Sequence, residues 1–197
     1  MVDNTKVIVL QAPVSDREEA IWETNKYDAM IKAAKKLKEE GKETEMMPRE
    51  GRELFLYYRR YDPCPVTLLL SGIVCVVSAF WAPITAKRYL DLHEKGGADD
   101  FFSSDWSDEE LVLRLGHMSQ LADRQVLVAF SGSDEYVPKQ LDSKKMSERL
   151  CQAINDGKSE GVAQECFFPN ANHNLSEADG DKTQFAKVVG EALSKVK

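Results

Sequence analysis

Three short apolar runs constrain this chain more than anything else in it. KVIVLQA (residues 6–12), QVLVAF (125–130) and VAQECFF (162–168) are rich in β-branched or aromatic residues, and a helical pattern follows each. Short runs with little polar alternation read as strands buried on both faces. Strands alternating with helices imply a parallel sheet joined by right-handed crossovers. The fold class predicted is therefore α/β with a parallel sheet. Three strands are too few to cover both helical layers of such a fold, so the sheet reads as incomplete.

The helices are marked by their caps and their periodicity. Ser15 and Glu18 have capping-box spacing, which predicts a helix starting near Asp16. Residues 27–40 carry Met30, Ala33, Ala34 and Leu37 at helical spacing, with Lys35–Glu39 and Lys36–Glu40 as i,i+4 pairs and Gly41 as the stop. In WSDEEL (106–111), Ser107 and Glu110 form a second capping box and Trp106 can staple onto Leu111, with Leu115 and Met118 on the same face. Residues 143–155 turn Met146, Leu150 and Ile154 inward. Toward the C-terminus, Phe185, Val188, Val189, Ala192, Leu193 and Val196 trace one apolar stripe. Residues 42–62 read as polar and irregular.

Composition excludes some classes. The 197 residues are 43% hydrophobic and 30% charged, with a net charge of -7. An acidic balance without clustered Lys and Arg argues against a nucleic-acid surface. Cys64, Cys75, Cys151 and Cys166 form no C-x-x-C pair, so no zinc or redox motif is expected. The first residues, MVDNTK, are polar and have no apolar leader behind them. The cysteines are accordingly read as reduced and buried, and the location as cytoplasmic.

The chemistry gathers after the second and third runs. Ligands and catalytic groups of open parallel sheets collect at the carboxyl ends of strands. Asp134 follows the 125–130 run in the loop SGSD, and His173 follows the 162–168 run. An SGSD turn is also ordinary loop chemistry, and a lone loop histidine is usually a surface residue. Taken together and in this order, the two match the acid and base of an α/β-hydrolase triad. The acid would fix the imidazole tautomer and stabilise the imidazolium, and the imidazole would move the proton. His93 and His117 have no such partners and read as structural or exposed. No G-x-S-x-G nucleophile elbow occurs in the sequence. Ser15 mimics one loosely, but its surroundings lack the glycines an elbow needs.

VIVLQAPVSDREEA, APITAKRYLDL, DDFFSSDWSDEEL, VAFSGSDEYVP and NANHNLSE together resemble a plant and fungal α/β-hydrolase family of formerly unknown function that includes fungal siderophore (fusarinine-type) esterases. The resemblance implies a serine ester hydrolase in which Asp134 is the triad acid and His173 the triad base. It implies a small-molecule ester substrate and no metal or organic cofactor. It also implies that the chain corresponds to the C-terminal half of the family's domain, with the nucleophile upstream. Residues 1–197 are then one N-terminally incomplete domain, and 16–120 a helical, cap-like insertion within it. A non-catalytic pseudo-hydrolase, completing its sheet with a partner or associating through the exposed edge near 7–10, is the alternative.

One stretch departs from that family. VTLLLSGIVCVVSAFWA (66–82) carries no charge. It sits at the lower edge of the ~17–25 apolar residues that a membrane span requires. Residues 65–81 read as a retained intron, as a cap element or as a membrane segment, the last weakened by Ser71, Gly72 and Ser78.

Overall fold

The computed structural model describes residues 5–20, 24–47, 83–120, 124–157, 161–176 and 179–195. The uncharged stretch at 65–81 lies outside them, as do Cys64 and Cys75. The chain divides into two compact units, one of Met1–Glu19 with Asp100–Lys197 and one of Ala20–Asp99.

Among the described residues, the first unit is built on three parallel strands in the order β1-β2-β3: β1 is Val7–Gln11, β2 Gln125–Ser131 and β3 Ala163–Phe168. β2 is central, which explains its unbroken apolar run. Side chains alternate across a strand, so Val126, Val128 and Phe130 enter one core while Leu127 and Ala129 enter the other. Each large side chain so buried contributes about 1.5–3 kcal/mol. β1 and β3, as edges, are less buried than β2.

Helices cover both faces. α1 (Asp16–Ala20) follows β1. α4 (Asp108–Leu115) and α5 (Ser143–Asn155) bury Leu111, Leu115, Met146, Leu150 and Ile154 against the Phe130 face. Both bonds of the Ser107–Glu110 capping box are present, and Trp106 joins the same core as Leu111. α6 (Asp179–Lys195) lays Phe185, Val188, Val189 and Ala192 on the Leu127 face. Leu193 leaves the expected stripe and is exposed. At about 100° per residue it stands roughly 80° round from Phe185, at the stripe's margin.

The second unit packs α2 (Thr24–Glu39) with α3 (Ala86–His93) through Met30, Ala34, Met47, Ala86, Tyr89 and Leu90. Gly41 has φ of 71°, and Lys42 N–H donates to Leu37 O at 2.8 Å, the glycine-ended cap read from the sequence. Lys36 pairs with Glu40 at 4.0 Å, but Lys35 reaches Glu94 at 2.7 Å instead of Glu39. The residues read as irregular include a bridge between Met46 and Thr85. α3 was not visible as a helix in composition alone; Thr85 caps it by accepting from Arg88 N–H at 3.2 Å.

Candidate acid–base site at the carboxyl edge of the sheet

Register places Gln11 beside Ala129 and Ser131 beside Phe168, so the three strands end along one edge. Asp134 and His173 stand in the loops leaving that edge, and the structure brings them together. Nδ1 of His173 lies 2.9 Å from Oδ2 of Asp134. The other carboxylate oxygen, Oδ1, accepts from Tyr136 N–H at 2.9 Å. An ionised carboxylate only accepts, so beside one a neutral imidazole holds its proton on Nδ1 and its free lone pair on Nε2. The Asp134 side chain is wholly shielded while that of His173 is 28% exposed. The acid is thus kept from water and the imidazole remains reachable. The ring of Tyr136 meets that of His173 edge-on, centroids 4.7 Å apart.

The backbone of His173 is held as well. Its N–H donates to Oε2 of Glu135 at 3.0 Å, and its carbonyl accepts from Nε2 of Gln11 at 2.5 Å. Neither residue was singled out by the sequence. The signal was present, because Gln11 is the polar residue closing an apolar run and Glu135 is the acid beside the expected one.

The two loops are stitched to each other. Gly132 N–H donates to Phe168 O at 2.8 Å and Ser133 N–H to Ala171 O at 3.0 Å. A Cβ on Gly132 would stand 2.5 Å from Pro169 O, so this close approach requires glycine. Beyond His173, Asn172 accepts from Ser176 N–H at 2.8 Å and closes a turn in which Leu175 takes a φ of 55°. Ala12, directly after Gln11, also has positive φ, 47°. For a non-glycine residue that conformation costs about 1–2 kcal/mol, and such strain gathers at functional sites.

A second polar cluster joins 15–18 to 100–105. Arg17 Nε lies 3.1 Å from Asp100 Oδ2, and both side chains are buried; Nη1 and Nη2 bond Asp105. Burial works against the Arg17 charge, but the bonds to Asp105 and Asp100 outweigh it and hold its pKa above the usual guanidinium value. Ser103 donates to Asp100 Oδ1 and pairs with Ser15 Oγ at 2.6 Å. Because Ser103 has one proton, Ser15 is the donor between them. Ser15 Oγ also accepts from Glu18 N–H at 3.1 Å, which makes it the cap of α1. The Glu18 carboxylate is taken up by Ser104, whose N–H donates at 2.8 Å, rather than by the amide of Ser15.

His117 is exposed, and His93 packs against Tyr89 with centroids 4.4 Å apart. Cys151 and Cys166 are free thiols, both buried; burial pushes Cys151 up to about 12 and Cys166 upward. No helix among the described residues is long and apolar enough to cross a membrane.

Comparison with known proteins bears on this geometry. The model of a family described as "Protein of unknown function (DUF1749)" matches residues 2–197. Fusarinine C esterase sidJ of Aspergillus fumigatus is 29% identical over 87% of this chain and 49% of its own length. Esterase AN6793 of Emericella nidulans is 26% identical over 92% of this chain and 49% of its own. The chain thus spans about half the length of the curated relatives it matches. A solved structure, siderophore hydrolase EstB from Aspergillus fumigatus, superposes with a TM-score of 0.64 at 24% identity, over 95% of this chain and 57% of that one. That likeness shows the fold: the parallel sheet with its flanking helices is part of an α/β-hydrolase fold.

Proposed function

We propose that this chain, which belongs to the DUF1749 family, carries the acid–base half of a serine ester hydrolase, with His173 as general base and Asp134 as its orienter. The observation that carries the reading is the 2.9 Å contact between Nδ1 of His173 and the shielded carboxylate of Asp134, at the carboxyl edge of a parallel sheet. In the proposed reaction Nε2 takes the proton from a serine hydroxyl as its oxygen attacks the ester carbonyl. The proton then passes to the departing alkoxide, leaving an acyl-enzyme. Water, activated by the same nitrogen, releases the acid and restores the serine. Asp134 stabilises the imidazolium in each half-reaction.

The substrate class is a small-molecule ester, which the names of the esterase relatives support. The sequence holds no G-x-S-x-G elbow. In this reading the serine is supplied by sequence outside these 197 residues. The second reading, a non-catalytic relative that pairs through its sheet, is favoured by one observation: β1 is an edge strand, paired among the described residues with β2 alone. Such edges invite strand addition.

A fluorophosphonate probe separates the two. The purified chain is expected to stay unlabelled. The product of the native message, read through its 5′ end, is expected to be labelled at a serine outside residues 1–197 and to lose labelling in H173A. Stoichiometric labelling within these residues, or labelling indifferent to H173A, would defeat the proposal.

A further inference from the structure

The geometry points to Gln11 and Glu135 as positioning residues that fix the backbone of His173 while Asp134 fixes its ring. The inference rests on the acid–base reading above and adds a division of labour to it. A single bond at Nδ1 sets the plane of an imidazole, but it does not set where the Cα stands. His173 sits in a loop, with a partly exposed ring, and its reach depends on that Cα.

Both polar groups of the residue's backbone are engaged from other strands. The N–H donates to Glu135 Oε2 at 3.0 Å, from the loop after β2, and the carbonyl accepts from Gln11 Nε2 at 2.5 Å, from the end of β1. All three strand ends therefore converge on one histidine: β3 carries it, β2 holds its ring and its amide, and β1 holds its carbonyl. Asp134 and Glu135 are consecutive acids with separate tasks. The left-handed backbone of Ala12 turns the chain immediately after Gln11, which is where the side-chain amide must leave the strand direction to meet the loop. Exposed bonds of this kind add little to global stability. Their effect is on placement, where small displacements have large consequences for proton transfer.

The test is the exchange of the His173 Nδ1 proton and backbone amide with solvent, read by NMR on the 15N-labelled 197-residue chain. Q11A and E135A are each expected to speed exchange, and the double variant by about threefold or more, the scale set by loss of single hydrogen bonds. E135Q is expected to restore the wild-type rate, since its amide oxygen accepts the same N–H. Q11N, one methylene too short, is expected to behave like Q11A, which covers the case in which Q11A disturbs β1. A smaller change in the double variant, or an E135Q no better than E135A, overturns the inference. D134A distinguishes the levels. If it too leaves Nδ1 exchange unchanged, the acid–base reading fails; if it alone speeds exchange, only the positioning roles fail.

Discussion

Arg17 and Asp100 stand 83 residues apart in sequence and form a buried ion pair, with Nε 3.1 Å from Oδ2 and side chains 10% and 1% exposed. The pair ties the turn after β1 to the segment leading into α4. Removing one partner of such a pair leaves a buried charge uncompensated. R17M should therefore cost about 3 kcal/mol or more in urea unfolding. A variant as stable as wild type would show that the pair is not buried as described.

Ser103 is fully buried and supplies Asp100 with a donor. S103A removes that donor from a carboxylate that water does not reach. Loss of about 1–3 kcal/mol is expected. S15A should cost less, because it removes a cap and a neutral partner while Asp100 keeps its bond from Ser103. Equal or reversed losses in the two melts would contradict the proton assignment.

Gly132 is packed against the backbone of Pro169, where an added Cβ would stand 2.5 Å from the carbonyl oxygen and 2.9 Å from the Cα. Neither atom can swing aside. G132A should push the two loops apart, destabilise the fold by about 1–3 kcal/mol and shift the amide resonances of 170–173. Unchanged spectra would mean that the loops are not in contact.

The thiols set a pH dependence. Burial raises Cys151 to about 12, with Cys166 raised in the same direction. An unfolded thiol titrates at about 8.5, so the fold retains protons that the unfolded chain gives up. Their contribution to stability is full below that pH and is lost as pH rises from there toward about 12. A thiol reagent at pH 8, with modified peptides mapped, should leave Cys151 and Cys166 untouched until the chain is unfolded. Rapid native-state modification of Cys151 would refute its burial.

The strands and the order of acid and base were legible because short apolar runs and strand-end loops follow simple rules. β2 reads as continuous since both of its faces are buried, and Met146, Leu150 and Ile154 face inward as their spacing required. The pairing of Asp134 with His173 was anticipated from chain order, and the structure places them in contact. What periodicity could not reveal is contact between distant polar residues. Gln11 and Glu135 are exposed in the fold, and no spacing shows that they reach the backbone of His173, while Arg17 looks solvated until Asp100 meets it. Leu193 shows the converse limit, since a stripe's margin and its centre share one spacing.

The state of the His173 ring is the most direct measurement of the central claim, that Asp134 and His173 form an acid–base pair. 15N NMR of the imidazole, at a pH where it is neutral, reports which nitrogen holds the proton. The expected result is a proton on Nδ1 in the wild-type chain, with Nε2 unprotonated, and a mixture of tautomers in D134A. A proton on Nε2 in the wild type, or a tautomer indifferent to D134A, would contradict it.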